Sequence, residues 1–158
     1  LVVTGLEKDR SVARQRTDDA VTSGKAAEVF DRMVHGLGGP TDFVATYEEH
    51  LPQAKFKVPV FAASTGYLVE TNAFRIGNAI IELGGGRRKL GDELDLSVGL
   101  SDVAAVGEYV DNERPLAVIH ASSEDSAERA AIMIRDACDT SDSSPEERPV
   151  IYETIKAE

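Results

Sequence analysis

The chain contains no tryptophan, a single cysteine and few basic residues, with 17 Lys and Arg against 28 Asp and Glu. One cysteine excludes an intramolecular disulfide. Cys138 falls on the apolar face of a predicted helix, and we interpret it as a buried thiol suited to a reducing cytoplasm. The formal net charge of −11 repels phosphate backbones and anionic lipids, which argues against nucleic-acid and membrane partners. No apolar run approaches the ~18–20 residues that span a bilayer.

The composition is that of an ordinary globular protein. The 158 residues are 42% apolar and 28% charged, which fits one domain, or one small domain after a helical lead-in. The first three residues, Leu1, Val2 and Val3, are typical of an element already under way, so we expect the chain to be a fragment of a longer protein. The order of predicted elements indicates an α+β fold with a helical lead-in to about residue 52.

Apolar periodicity predicts three helices in the lead-in. The first covers residues 7–21 and presents a thin apolar stripe. The second has apolar residues three and four positions apart over residues 26–37, so we expect it to bury one stripe. A short third helix, capped by Thr41 or Asp42, ends before Pro52.

The remainder of the chain mixes strands and helices. Residues 56–62 alternate in the manner of a strand, and Pro59 places that strand at an edge or an entry position. Residues 67–69 are predicted to form a short return strand. A helix capped by Thr71 or Asn72 follows. Its face carries three small residues that would let another element approach closely: Ala73, Gly77 and Gly84.

Three further strands are predicted. Residues 94–101 alternate apolar and polar side chains and give the clearest strand pattern in the sequence. Residues 116–121 are nearly all apolar, which predicts a strand buried on both faces. A polar, acidic linker over residues 139–148 then leads to a closing strand over residues 149–155.

The last predicted helix precedes that linker. Ser122 and Asp125 have the spacing of a capping box and start the helix. Apolar residues then recur three and four positions apart up to Cys138, which predicts a helix with one buried face.

The most particular motif is a run of three glycines and two arginines: Gly84, Gly85, Gly86, Arg87 and Arg88. Three interpretations are open. The glycines form a purely structural turn, the run is a mobile loop that contacts a partner domain, or its N–H groups and arginines bind an anion. Phosphate cradles use a helix N-terminus, whereas these glycines follow a helix that is ending.

The other polar groups do not indicate a metal centre. His35, His50 and His120 are far apart, and none has a partner at metal-ligand spacing. We interpret His120 as a hydrogen-bonded core or interface histidine. A carboxylate cluster is interpreted as solvated turn charges, or salt bridges to neighbouring arginines, rather than as a Mg²⁺ site; it comprises Asp92, Glu93 and Asp95.

Several separated segments resemble bacterial thymidine phosphorylases, of the pyrimidine nucleoside phosphorylase family, and run in that family's order. The likeness covers essentially the whole chain, and it is specific because glycines, prolines and charges coincide along with the hydrophobic spacing. The segments are residues 24–34, 39–43, 47–52, 84–99, 114–121 and 150–152. The resemblance implies that residues 1–52 are the helical end of the family's larger α/β domain. It also implies that residues 53–158 are the family's C-terminal domain, with a closing helix and strand.

A second likeness concerns fold alone. Residues 107–121 resemble the hammerhead of biotinyl and lipoyl carrier domains, which implies a barrel-sandwich-like arrangement for the C-terminal mixed α/β domain. Those carriers present a lysine at a hairpin tip, and residues 111–114 contain none. The likeness therefore indicates no prosthetic group.

The family resemblance implies a cytoplasmic, homodimeric pentosyltransferase of nucleoside salvage. Such enzymes reversibly cleave thymidine with inorganic phosphate, a co-substrate rather than a cofactor, to thymine and 2-deoxyribose 1-phosphate. The family closes a helical domain onto its α/β domain, and the run of glycines and arginines faces the interdomain cleft. The resemblance thus favours an interdomain closure loop at residues 84–88.

The catalytic parts of that family are missing here. Its phosphate-binding run, Lys-x-Ser-Thr-Gly-Gly-x-Gly-Asp, is absent, and no position matches its pyrimidine-binding residues. No catalytic residue carries over, so we expect this chain alone to be inactive and to need the N-terminal part of the same enzyme as its partner. Two alternatives stay open: a broader enzyme that also accepts uridine, and a stand-alone, non-catalytic binding module.

Overall fold

The computed structural model describes residues 1–147, 149–153 and 155, and the chain divides into two compact units, Leu1–Leu51 and Pro52–Glu158. The described residues form five helices and six strands, so the predicted α+β class is confirmed. The strands make two separate three-stranded antiparallel sheets rather than one closed sheet. No helix in the described part of the chain is long and apolar enough to cross a membrane.

Unit 1 (Leu1–Leu51) consists of the three predicted helices: α1 (Arg10–Thr22), α2 (Lys25–Gly36) and α3 (Phe43–His50). Helix α1 begins later than its periodicity predicts because Asp9 caps it. The Asp9 Oδ1 atom accepts the N–H of Ser11 at 2.8 Å and the N–H of Val12 at 3.1 Å. This side chain satisfies two of the helix's unpaired donors and fixes its first turn.

The predicted side-chain cap of α3 is wrong. Asp42 directly precedes the helix with a φ of 56°, and its carboxylate accepts no capping hydrogen bond. Asp31 of α2 takes over part of this role, because its Oδ1 atom accepts the N–H of Val44 at 2.8 Å. A carboxylate far away in sequence therefore replaces the local cap.

The apolar stripe of α2 is exposed, contrary to the burial that its spacing predicts. Val29, Phe30 and Met33 are 55%, 43% and 51% exposed, and Leu37 just beyond the helix is 82% exposed. Every residue of unit 1 is described, and Ala13 alone among them is buried. The periodicity located the helix correctly, but unit 1 does not contain the surface that would cover its stripe.

Unit 2 contains two helices and both sheets. In chain order its elements are β1 (Phe56–Val60), β2 (Gly66–Thr71), α4 (Ala73–Leu83), β3 (Gly99–Ser101), β4 (Tyr109–Val110), β5 (Ala117–Ala121), α5 (Glu124–Arg135) and β6 (Cys138–Ser141). The first sheet has the strand order β1-β5-β3, and the second has the order β4-β2-β6.

Strand β1 lies at a sheet edge, as its proline predicts. Pro59 is opposite Val118 of β5, and β5 is the one neighbour of β1 among the described strands. An edge strand tolerates proline, which has no N–H to donate to a second neighbour. The predicted return pairing is wrong, since β2 pairs with β4 and β6 and belongs to the other sheet. Gly66 permits this arrangement: an added Cβ there would lie 2.7 Å from the carbonyl O of Ser141 in β6.

Strand β5 is the central strand of the first sheet and is buried on one face only. Ala117, Ile119 and Ala121 are buried, while Val118 and His120 on the other face are half-buried. The predicted burial on both faces is therefore wrong. The buried face joins a core that also includes residues of β1, β2, α4 and α5. The apolar composition of β5 therefore corresponds to one fully buried face and one half-buried face.

Helix α5 begins and ends differently from its prediction. Ser123, not Ser122, caps it, because the Ser123 Oγ atom accepts the N–H of Ser126 at 3.2 Å. The helix ends at Arg135, and Cys138 starts β6 opposite Thr71 of β2. Cys138 is half-buried on this strand, and burial raises the pKa of its thiol.

The predicted C-terminal elements are also corrected. Part of the predicted linker forms β6 (Cys138–Ser141). Residues 149–153 and 155 form neither helix nor strand, so the predicted closing strand is wrong over these positions. Thr154 of that strand and Arg148 of the linker lie outside the described residues.

Candidate functional site

The run of glycines and arginines opens a long loop between α4 and β3. We call residues 84–98 the glycine loop. Gly84 adopts the left-handed conformation with a φ of 101° directly after α4. Its N–H donates to the carbonyl O of Ile81 at 3.0 Å, and the N–H of Gly85 donates to that of Ile80, also at 3.0 Å. The first two glycines therefore end the helix.

The loop packs closely against the last turn of α4. An added Cβ at Gly86 would lie 2.5 Å from the Cγ1 atom of Ile81. At Gly85 it would lie 3.0 Å from Ile80 Cγ2 and 3.3 Å from Val98 Cγ2. The chain turns back against its own helix here, and only glycine leaves room for the approach.

Asp95 closes the base of the loop. Its N–H donates to the carbonyl O of Gly84 at 3.0 Å. Its Oδ1 atom accepts the hydroxyl of Ser97 at 2.6 Å and the N–H of the same residue at 2.9 Å. These bonds make a turn, which is why residues 94–98 are a loop and the predicted strand shrinks to β3.

The same bonds give Asp95 a pH dependence. The Ser97 hydroxyl and then the Ser97 N–H lower the pKa of the Asp95 carboxyl below its ordinary value. Because the folded-state pKa is below the unfolded-state pKa, the ionised carboxylate stabilises the loop above the ordinary aspartate range. This contribution is lost as the pH falls through the lowered pKa.

Asp92 holds the tip of the loop together. Its Oδ2 atom accepts the N–H of Arg88 at 3.1 Å and the N–H of Lys89 at 3.0 Å. Its carbonyl O accepts the Nε–H of Arg87 at 3.2 Å. The N–H groups of two glycines and of these two basic residues thus already donate within the unit, and they do not point at an anion.

The two arginines of the motif have different surroundings. Arg88 forms an ion pair with Glu82 in the last turn of α4, and Glu82 also pairs with Arg129 of α5 through Nε and Oε1 at 3.0 Å. Arg87 is exposed and forms no ion pair with any described residue. Its Nε–H donates to Asp92, and the terminal nitrogens of its guanidinium group are available to a partner.

The loop lines a shallow, open groove with both apolar and charged side chains. The groove has a volume of about 740 Å³. Leu90 and Leu96, which line it, are 99% and 77% exposed. Its lining consists of Arg87, Leu90, Gly91, Asp92, Glu93, Leu94 and Leu96.

None of the three histidines belongs to the glycine loop. His120 Nε2 is 2.9 Å from the Ser101 Oγ atom, so its interpretation as a hydrogen-bonded histidine is confirmed. The His50 ring stacks on Phe43 within α3, with ring centroids 6.5 Å apart. Among the described residues, no three His, Cys, Asp or Glu side chains are grouped so as to hold a metal ion.

The sequence predicted the loop but not the residues that hold it in place. Asp92 was expected to be a solvated charge or a salt-bridge partner, whereas its carboxylate accepts two backbone N–H groups. No sequence pattern pointed to Glu82 or Arg129. Glu82 is six residues from Arg88, and Arg129 lies on another helix. Neither spacing belongs to a regular helix or strand pattern, so these residues meet only in the folded chain.

One comparison with known proteins bears on this loop. Residues 67–141 match the family model described as the pyrimidine nucleoside phosphorylase C-terminal domain. The matched segment begins in β2 and ends with β6, and it contains the whole glycine loop. This segment is thus similar to the C-terminal domain of a family of pentosyltransferases, in line with the resemblance in the sequence.

Gly77 inside α4 and Gly84 at its C-cap can be compared by the same substitution to alanine. Gly84→Ala should lower the free energy of unfolding of unit 2 by about 1–2 kcal/mol, because alanine is strained at this positive φ. Gly77→Ala should raise it by roughly 0.5–1 kcal/mol, because Gly77 is inside the helix and an added Cβ meets nothing within 4 Å. The same observation shows that the close approach predicted at Gly77 does not occur. Urea unfolding followed by circular dichroism measures both changes, and a destabilising Gly77→Ala would contradict this account.

Proposed function

From the match of residues 67–141 to the pyrimidine nucleoside phosphorylase C-terminal domain, we propose that this chain is the C-terminal portion of a thymidine phosphorylase. The full enzyme would reversibly cleave thymidine with inorganic phosphate to thymine and 2-deoxyribose 1-phosphate. In this proposal the chain forms one wall of the closing cleft and supplies no catalytic group. The observation that carries the proposal is the family match over the segment that contains the glycine loop.

The exposed stripe of α2 supports a larger domain around unit 1. A unit of 51 residues with one buried side chain has almost no core of its own, and hydrophobic burial is the main driving force of folding. Val29, Phe30 and Met33 form an apolar surface that needs a cover. We propose that residues 1–52 are the helical end of the enzyme's larger α/β domain, whose upstream part covers this stripe.

The glycine loop supports a role in domain closure. Its base is fixed by the helix cap and by Asp95, so the loop has a defined shape. Its tip presents Arg87 without an ion pair to any described residue, next to the exposed Leu90. A fixed loop with an exposed cation beside an exposed leucine is suited to contact a second surface when the domains close.

The chemistry explains why a closing wall matters. Phosphorolysis passes through an oxocarbenium-like transition state, in which phosphate must be held behind the anomeric carbon while the pyrimidine leaves as an anion. Fixed donors in a water-poor cleft stabilise these charges far better than solvent does. The groups that bind phosphate and base would come from the upstream part, because the family's phosphate-binding run is not in this sequence.

The proposal extends to the setting of the enzyme. We propose a homodimer in the cytoplasm, with phosphate as co-substrate and no cofactor, and with neither nucleic acid nor membrane as partner. The net charge of −11 supports the last point. A broader enzyme that also accepts uridine fits the same family description, and substrate comparison separates the two.

The proposal is tested by phosphorolysis assays on the chain alone and on the complete enzyme, meaning this chain joined to its upstream part. The chain alone should release no thymine above the uncatalysed rate, because it lacks the phosphate-binding run. The complete enzyme should be active, with a higher kcat/KM for thymidine than for uridine. Equal values would favour the broader enzyme. Activity of the chain alone, or none in the complete enzyme, would contradict the proposal.

Arg87 and Arg88 provide a matched test of the closure role. In the complete enzyme, Arg87→Ala should lower kcat about tenfold, equivalent to ~1.4 kcal/mol, with little change in phosphate binding. Arg88→Ala should lower kcat less, because Arg88 pairs with Glu82 of its own unit. Steady-state kinetics and phosphate titration measure both effects. A phosphate Kd raised tenfold or more by Arg87→Ala, with closure intact, would contradict the closure role.

A further inference from the structure

Glu82 has a position that neither the family match nor the closure role explains. It lies in the last turn of α4, and its side chain is 26% exposed. One of its oxygens pairs with Arg88 in the glycine loop, and the other pairs with Arg129 of α5 at 3.0 Å. Arg129 is itself held by Asp125 one helical turn earlier. A single carboxylate thus joins the loop to two helices.

We propose that Glu82 is a positioning residue that sets the direction of the glycine loop through Arg88. The proposal rests on the proposed function in so far as the loop contacts the upstream part during closure. Glu82 touches no reacting group and acts only through the loop.

Arg88 is held both at its side chain and at its backbone. Its guanidinium is bound by Glu82, and its backbone N–H is bound by Asp92 Oδ2 at 3.1 Å. The residue therefore links the tip of the loop directly to α4. With Arg88 held toward the helix, the adjacent Arg87 is left on the exposed side, where it forms no ion pair with a described residue.

Glu82 belongs to a network of ion pairs. Isolated exposed ion pairs contribute little, because ordering two long side chains offsets most of their attraction. Here Arg129 is already ordered by Asp125, so Glu82 is oriented before it binds Arg88. Charges fixed by several partners lose less entropy for each contact they make. The network therefore restrains the loop more than a single surface pair would.

A purely structural role predicts something different. If these ion pairs only stabilised the surface, removing Glu82 would lower global stability slightly and leave the loop as ordered as its surroundings. A positioning role predicts a change confined to the glycine loop. Amide hydrogen exchange separates the two, since it reports opening segment by segment.

The experiment compares Glu82→Gln with Glu7→Gln in the full chain. Glu7 is a matched control, because it pairs with Arg16 at similar exposure and belongs to unit 1, whereas the loop belongs to unit 2. Glu82→Gln should speed exchange over residues 84–96 by roughly three- to tenfold, with no change in β5 or α5. Glu7→Gln should leave that segment unchanged. Loop exchange unaffected by Glu82→Gln, or increased equally throughout unit 2, would overturn the proposal.

A double-mutant cycle tests the route through Arg88. Arg88→Gln should speed loop exchange as Glu82→Gln does, and the double variant should show no further increase, because both remove one contact. Additive effects would show that Glu82 does not act through Arg88 and would overturn the proposed route. In about 1 M salt the effect of Glu82→Gln should shrink, because the ion pairs are screened.

Kinetics of the complete enzyme connect the position of the loop to turnover. Glu82→Gln should lower kcat about two- to fivefold and leave the KM for phosphate unchanged. Faster loop exchange with an unchanged kcat would overturn the link to closure. If the complete enzyme shows no phosphorolysis at all, the proposed function fails, while the exchange measurements still decide whether Glu82 positions the loop.

Discussion

The structure of the candidate site depends on one steric constraint, the contact between the glycine loop and the last turn of α4. At Gly86 a single added carbon would lie 2.5 Å from a side-chain carbon of Ile81. Because glycine removes this clash, the chain can reverse directly after the helix. The reversal brings Asp95 to the carbonyl of Gly84 and places Arg88 beside Glu82. The same turn leaves Arg87 exposed.

The sequence predicted the helices better than the strands, and the reason is physical. Helices depend on contacts three and four residues apart, so the periodicities of α2, α4 and α5 located them within a few residues. Strand pairing depends on distant partners. Thus β2 joins β4 and β6 instead of returning along β1, and Cys138 looked like the end of a helix although it begins a strand.

The glycine loop shows where pattern reasoning fails and where it succeeds. Leucines alternate with polar residues up to Val98, as they do in a strand, but the bonds of Asp95 to Gly84 and Ser97 bend this segment instead. The helix cap at Gly84, by contrast, was predictable from glycine's tolerance of positive φ. The ion pairs of Glu82 were not predictable, because α5 is brought to α4 only by the packed core.

The stripe of α2 provides the most direct test of the claim that this chain is part of a larger enzyme. Hydroxyl-radical labelling should modify Phe30 and Met33 readily in the chain alone, where they are 43% and 51% exposed. In the complete enzyme both should be strongly protected, while Ile132 on α5, 52% exposed, serves as an internal reference. Protection confined to the stripe is the result that the account predicts. Equal labelling of Phe30 and Met33 in the chain and in the complete enzyme would contradict it.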